Sequence, residues 1–180
     1  VELAAGLVCV LLTARLARAW GIGSEGQGWA ALFPAASPAF VFWAGSGMET
    51  SCFAAALLGA VLLLRTRRAW YPVAMVAASL LRPEGPYLFV VLWAWRLGTD
   101  IASGERRTAI RLAVRDGAVF TALFGPYLLW RWVHYGSWVP NSVHAKFQLF
   151  SGVQFLLFDC AQYFAVHIIA AIMVASVTAL

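Results

Sequence analysis

Polar residues able to do chemistry interrupt an otherwise apolar sequence at three places. They are Gly45-Ser46-Gly47-Met48-Glu49-Thr50, Arg82-Pro83-Glu84-Gly85 and residues 131–146. Arginine binds phosphate oxygens through two parallel hydrogen bonds, and lysine binds them as a point charge. Glutamate can accept the proton of a sugar hydroxyl or act as a general base. If the fold brings the three places together, they would line a pocket suited to a phosphate or pyrophosphate group and a sugar.

The side chains that could contact such a ligand can all donate or accept hydrogen bonds. They are Glu49, Thr50, Arg82, Glu84, Arg131, His134, Tyr135, Asn141, His144 and Lys146. None of them stands out as the catalytic residue, which stays unknown. Structural roles are open as well. Arg82 and Glu84 can pair across a helix break, Glu49 can cap a turn, and Arg131 can snorkel towards water.

Metal and redox chemistry have little support in the sequence. Cys9, Cys52 and Cys160 are isolated in or beside apolar runs, without the paired spacing of a zinc or redox site. His134 and His144 could serve in acid–base chemistry or hold a metal, but such histidines more often lie at a membrane interface. We therefore predict no resident cofactor and no metal site, and leave open whether a divalent metal accompanies the substrate.

The composition indicates an all-α integral membrane protein. Hydrophobic residues make up 62% of the chain and the mean hydropathy is +0.78, well above the values of soluble domains. The apolar runs are long and lack the alternation, about ten residues per strand, of membrane β-barrels. We predict a polytopic helical protein with broken and short helices, folded as one transmembrane domain over residues 1–180 and forming a fragment of a longer chain.

The net charge of +5 does not indicate a nucleic-acid partner. The arginines fall in short clusters between apolar runs, which is typical of the cytoplasmic loops of membrane proteins. The strongest cluster is Arg65-Thr66-Arg67-Arg68, which we place in the cytoplasm. The turn that holds Glu49 then lies on the outer side, and Arg15 and Arg18 lie on the inner side. The lipid bilayer is the predicted partner, and the predicted location is the inner (plasma) membrane.

The first half of the chain predicts two apolar segments with an irregular segment between them. The predicted segments are a span over residues 1–19, a flexible glycine-rich loop over 21–29, a short kinked span over 30–43 and a span over 51–64. Pro34 and Pro38 cause the kink. Gly21-Ile22-Gly23-Ser24-Glu25-Gly26 matches a dinucleotide-binding fingerprint by letter. That motif requires a preceding strand within a βαβ unit, so we read the stretch as a loop.

A hairpin is predicted around Arg82-Pro83-Glu84-Gly85, because proline removes a backbone donor and ionisable groups are costly at bilayer depth. Its arms are Tyr71–Leu81 and residues 87–95, each about half of a full span. The arginine-rich residues 96–115 follow as an inner loop, with Asp116 as a boundary residue. Since inner loops flank the hairpin, its charged tip points to the outer half of the membrane.

The last part of the chain predicts one span outwards and one inwards. Residues 112–132 form a span kinked at Gly125-Pro126 and deliver residues 131–146 to the outer face. Residues 153–180 return inwards, and Asp159 is a boundary residue. The three polar places therefore share the outer side of the membrane.

The same stretches, in the same order, resemble the motifs of a known family. They are Trp43-Ala44-Gly45-Ser46-Gly47-Met48-Glu49-Thr50, Arg82-Pro83-Glu84-Gly85, and Trp130-Arg131 with Tyr135-Gly136-Ser137-Trp138-Val139-Pro140-Asn141-Ser142-Val143-His144-Ala145-Lys146. They are similar to motifs of bacterial polytopic glycosyltransferases of the GT-C superfamily, and most similar to the actinobacterial terminal arabinofuranosyltransferase group.

The resemblance implies transfer of a sugar, arabinofuranose or mannose, from a polyprenyl-phosphate donor to a cell-envelope glycan or lipid acceptor. It implies that Arg82 and Lys146 contact the donor phosphate and that Glu49, Glu84 and Asn141 line the pocket, at the extracytoplasmic face. The acidic residue that the superfamily carries in its first outer loop has no counterpart here. Glu2 stands alone, and Glu25 falls on the inner side.

Two other classes of function remain open at this stage. Broken helices around Pro34, Pro38 and the Arg82–Gly85 stretch could line the path of a transporter or flippase. The polar groups could also stabilise the packing of a non-catalytic membrane subunit.

Overall fold

The computed structural model describes residues 1–47, 49–66, 68–104 and 106–137. Over these residues the chain is helical and contains no strand, which confirms the all-α prediction for this part of the molecule. A 3-10 turn, Arg68–Trp70, precedes the fifth α-helix. The seven α-helices are α1 (Glu2–Ala19), α2 (Ser24–Ala36), α3 (Pro38–Gly45), α4 (Thr50–Thr66), α5 (Tyr71–Leu81), α6 (Gly85–Ala102) and α7 (Arg106–Tyr135).

The prediction of a flexible loop over residues 21–29 was wrong, because α2 begins inside it. Gly21 has a positive φ of 81° and turns the chain directly after α1. The Gln27 side chain then ties the new helix to the turn, accepting from Arg18 Nε (3.3 Å) and donating to the Ile22 carbonyl (2.7 Å). The glycines therefore supply a tight corner between two packed helices.

The proline-containing segment is broken, as the sequence predicts. Pro34 lies inside α2, and α3 begins at Pro38, where a proline costs no helical hydrogen bond. Ser37 separates the helices and its hydroxyl accepts a bond from the Phe40 amide (3.4 Å). The result is two short helices in place of one regular span.

The predicted hairpin is present, but its second arm is longer than expected. α5 ends at Leu81 and α6 begins at Gly85, so the break lies where the sequence places it. α6 then continues for 18 residues to Ala102, and α7 starts at Arg106. The prediction of an inner loop over residues 96–115 was therefore wrong. Its charged residues instead extend two helices, because part of them pairs between α6 and α7.

Aromatic residues set the register of α5, α6 and α7. The rings of Phe89 and Phe120 stack with centroids 3.8 Å apart, and Tyr71 stacks on Phe89 at 6.2 Å. Trp93 Nε1 donates to the Ala113 carbonyl (2.9 Å). These contacts show that α6 runs antiparallel to both α5 and α7. The three helices pack with α4 around one hydrophobic core. Its buried members are Ala60, Leu64, Tyr71, Met75, Val76, Phe89, Phe120 and Phe124.

α1 and α4 lie side by side and run in the same direction. Near their starts, the Glu2 carboxylate reaches the Cys52 amide, and further along a Cβ on Gly59 would lie 4.0 Å from Leu12. We call the end that holds these helix starts and the tip at residues 82–84 the hairpin end. The opposite end, where α1 and α4 finish and α7 begins, is the arginine end.

Only α7, among the described helices, has the length and hydropathy of a membrane span. The pair α3 and α4, bent by 115°, passes the same criterion only if it is read as a single broken span. α7 continues through Pro126 as one helix. The bend expected at Gly125-Pro126 stays a prediction. Val1–Gly136 forms one compact unit, and the prediction of a single domain over residues 1–180 extends beyond the described residues.

Candidate ligand site at the hairpin tip

The tip between α5 and α6 is fixed by its backbone. Arg82 adopts an extended conformation that ends α5, with its amide bonded to the Ala78 carbonyl at 3.0 Å. The Gly85 amide donates back to the Arg82 carbonyl at 3.1 Å. A Cβ on Gly85 would lie 2.4 Å from Ser79 Cα, a distance that no side chain tolerates. Glycine at this position therefore lets the two arms meet and sets the direction of the tip.

The two charged side chains of the tip form a partly exposed pair. Arg82 Nε lies 3.5 Å from Glu84 Oε2, and the two side chains are 24% and 41% exposed. Glu84 Oε2 itself is buried and makes no hydrogen bond within the described structure. The Arg82 guanidinium lies 5.6 Å from the centre of the Phe53 ring. A ligand can thus reach the pair from solvent while protein packing holds its inner side.

Phe53 connects the tip to the turn that holds Glu49. The Phe53 amide bonds the Glu49 carbonyl (2.9 Å) in the first turn of α4, which begins at Thr50. Glu49 is exposed and Thr50 is half-buried. The structure therefore brings two of the three polar places of the sequence to the same end of the molecule, with Arg82 packed against the helix start that follows Glu49.

The third place begins in a helix that extends three residues beyond the predicted end of the span at residue 132. Arg131, His134 and Tyr135 lie in the last turns of α7. Arg131 Nη1 donates to Tyr127 Oη (3.3 Å) and its guanidinium lies 5.6 Å from the Tyr135 ring centre. Because α7 is antiparallel to α6, these residues lie at the hairpin end. Both partners of Arg131 belong to α7, so its own helix positions it.

Three predicted site residues cannot be placed. Asn141, His144 and Lys146 lie outside the described residues, as does Asp159. In the part of the chain that the structure describes, no three His, Cys, Asp or Glu side chains gather as a metal-binding group would require.

Glu2 is a residue at the hairpin end that the sequence analysis set aside. Its Oε2 accepts a hydrogen bond from the Cys52 amide (3.3 Å), which would otherwise be an unpaired donor in the first turn of α4. Close by, the Cys9 thiol contacts the Ser51 carbonyl at 3.5 Å. Glu2 reaches Cys52 because α1 packs parallel to α4. No local sequence signal predicts this contact.

Asp116, predicted as a boundary residue, has a side chain that is only 1% exposed. It bonds Arg96, itself 4% exposed, across the contact between α6 and α7. Its second oxygen accepts from Arg115 Nη2 at 2.7 Å. Asp100 lies 3.5 Å from Arg96 Nε, and the Arg96 guanidinium lies over the Tyr71 ring. This buried cluster is at the arginine end, away from the tip.

Comparisons with protein-family models, with curated proteins and with solved structures gave no match.

Proposed function

We propose that this chain is the membrane core of a glycosyltransferase of the GT-C type, which moves a sugar from a polyprenyl-phosphate donor to a cell-envelope acceptor. The observation that carries the proposal is the placement of Arg82 and Glu84 at a rigid tip, packed against the start of α4 beside Glu49 and Thr50. That arrangement offers a cation for a phosphate and carboxylates for a hydroxyl group at one end of the molecule.

The distribution of apolar and charged residues supports the membrane location. α1 exposes Leu3, Leu7 and Leu11 by 68%, 68% and 62%, whereas Arg96 and Asp116 are almost fully buried. A protein surrounded by water shows the opposite preference, and large exposed apolar patches mark contact with lipid or with another protein. Polytopic insertion in the inner membrane, with lipid around α1, accounts for this surface.

The arginines support the orientation. Arg15, Arg18 and Arg65 are exposed at the arginine end, where α1 and α4 finish. Clusters of arginine are retained on the cytoplasmic side. In this orientation the hairpin end faces the outer side, where a lipid-linked donor presents its sugar to envelope acceptors.

The residues of the tip suit the chemistry of such a transfer. The bond between the acceptor oxygen and the anomeric carbon forms as the bond from that carbon to the donor phosphate breaks. Negative charge grows on the departing polyprenyl phosphate, where Arg82 would stabilise it. A carboxylate, Glu84 or Glu49, would take the proton of the acceptor hydroxyl. Lys146 and Asn141 would complete the phosphate and sugar contacts from the segment after α7.

The test is transfer by the full-length protein in membranes that are supplied with a panel of polyprenyl-phosphate sugars. We expect Arg82→Ala and Lys146→Ala to lower transfer about 10- to 100-fold each, the range for loss of a hydrogen bond to a charged group. The matched control is Arg65→Ala, an exposed arginine at the other end, which should leave transfer unchanged.

Wild-type transfer in both site variants, with protein present in the membrane, would overturn the assignment of the phosphate contacts. Movement of the labelled lipid between leaflets without transfer to an acceptor would indicate a flippase instead.

A further inference from the structure

The first turns of α7 carry a stripe of exposed arginines that the transfer reaction does not use. Arg107, Arg111 and Arg115 are all exposed. They are spaced four residues apart, so they lie on one face of the helix at steps of about 6 Å along its axis. Three cations thus follow one another along the outer surface of the arginine end.

Helix stability does not explain this placement. The first turn of α7 contains no acidic residue, and cations near the start of a helix oppose its dipole. Only Arg115 reaches inwards, where it bonds the buried Asp116 at 2.7 Å and is held in place by it. The dipole of α7 therefore disfavours Arg107 in the first turn and does not favour the other two arginines, so the stripe is available to an anion outside the protein.

The length of α7 places the stripe at a membrane boundary. A helix of 30 residues is about 45 Å long, whereas the hydrocarbon core of a bilayer measures roughly 30 Å. Residues 117–130 contain no Asp, Glu, Lys, Arg or His, so they form the central 21 Å or so of the part that crosses the hydrocarbon, and about one and a half further turns in total complete it. The part of α7 that extends beyond the hydrocarbon includes the arginine stripe, so the stripe lies at the level of the phospholipid headgroups.

Two apolar side chains lie beside the stripe. Ile110 is 45% and Val114 is 64% exposed, and both positions adjoin the arginines on the helical wheel. Ala109 and Ala113, on the opposite side of the helix, are buried. An apolar strip next to a cationic strip is the pattern of a helix surface that lies in the headgroup layer.

We propose that this face of α7 binds the phosphate groups of anionic phospholipids in the leaflet at the arginine end. The inference rests on the membrane location in the proposed function and not on sugar transfer. The apolar strip favours a lipid over free phosphate, because Ile110 and Val114 contact acyl chains while Arg107 and Arg111 bind the phosphate. An anionic leaflet attracts each such arginine with about 1 kcal/mol.

The experiment is native mass spectrometry of the full-length protein in detergent, titrated separately with phosphatidylglycerol and phosphatidylcholine. We expect the protein to retain phosphatidylglycerol in preference to phosphatidylcholine. The double variant Arg107→Gln/Arg111→Gln should weaken phosphatidylglycerol binding about 30-fold, as expected for two arginines at the above value. The control Arg15→Gln/Arg65→Gln removes two exposed charges from the same end but outside this face of α7, and it should weaken phosphatidylglycerol binding clearly less than the Arg107→Gln/Arg111→Gln variant does.

Several outcomes would overturn the proposal. They are equal weakening by both double variants, equal retention of the two lipids, and displacement of phosphatidylglycerol by inorganic phosphate at the same concentration. Thermal unfolding of each variant in the same detergent establishes that it is folded. Because the readout is lipid retention, it is independent of the transfer assay. Absent transfer with retained selectivity would reject only the glycosyltransferase, and the reverse result would reject only the lipid face.

Discussion

The guanidinium of Arg96 on α6 bonds the carboxylate of Asp116 on α7, and both side chains are buried. Arg115 occupies the second carboxylate oxygen, so the aspartate is paired on both sides. Removing one member of a buried ion pair is costly because the partner keeps its charge without compensation. Loss of one partner alone should therefore weaken the contact between α6 and α7 more than loss of an exposed charge would.

Asp116→Asn tests that relationship. The amide preserves the shape of the side chain but leaves the buried Arg96 with the more distant carboxylate of Asp100, at 3.5 Å, and we expect the free energy of unfolding to fall by up to about 3 kcal/mol. Thermal or chemical unfolding in detergent measures the change. Arg111→Gln, an exposed position on the same helix, serves as the control and should stay within about 0.5 kcal/mol.

The double variant Arg96→Met/Asp116→Leu separates charge pairing from packing. Apolar residues of similar volume need no partner of their own, so this variant should recover part of the stability lost in Asp116→Asn, although Asp100 and Arg115 lose their contacts with the pair. If Asp116→Asn is as stable as the wild type, the pair does not hold α6 to α7.

Gly85→Ala tests the close approach of the two hairpin arms. The new Cβ would meet the Ser79 backbone at 2.4 Å, and we expect a loss of about 1 to 3 kcal/mol, as for other overpacked sites. Gly98→Ala in the same helix is the matched control, since a Cβ there meets nothing within 4 Å. It should be neutral or stabilising by up to about 1 kcal/mol. Equal effects of the two substitutions on the unfolding midpoint would contradict the proposed contact.

Glu2→Ala and Glu2→Gln test the bond between α1 and the start of α4. Alanine removes the acceptor of the Cys52 amide and should cost about 1 kcal/mol, the usual value for a lost helix cap. Glutamine retains an acceptor oxygen and should cost less than half as much. Glu25→Ala, an exposed acid in the first turn of α2, should have a smaller effect than Glu2→Ala. A Glu2→Gln variant that is stable but inactive in transfer would assign Glu2 to the chemistry.

Cysteine labelling tests the two-sided arrangement of the chain. In a variant whose three native cysteines are replaced by alanine, Glu49→Cys and Arg107→Cys each place one exposed thiol at opposite ends. A membrane-impermeant maleimide added to intact cells should modify Glu49→Cys, and it should modify Arg107→Cys only after permeabilisation. Labelling of both, or of neither, before permeabilisation would reject the proposed orientation.

The sequence predicts those parts of the fold that depend on local chemistry. The break at Arg82-Pro83-Glu84 follows from proline and from charge in an apolar run, and α5 has the bounds that this argument predicts. The division of α2 from α3 follows equally from Pro34 and Pro38. Both features can be predicted without knowing which helices pack against each other.

The features that the sequence does not reveal depend on helix register. Asp116 and Arg96 look like loop charges until antiparallel packing of α6 and α7 pairs them, and Glu2 looks isolated until α1 lies beside α4. The glycine-rich residues 21–29 were mispredicted as a loop because their helix also depends on contacts with another part of the chain. Contacts of Gln27 with the preceding turn favour a helix that the composition alone does not.

The absence of a side chain at Gly85 has a further consequence for recognition. Because the backbone at Gly85 lies close to Ser79, we expect the tip to rearrange little if a ligand binds there as proposed. Binding at such a tip would lose less conformational entropy from the protein, which favours affinity. The same rigidity penalises molecules of the wrong shape, and selectivity at Arg82 and Glu84 should therefore be steric as much as electrostatic.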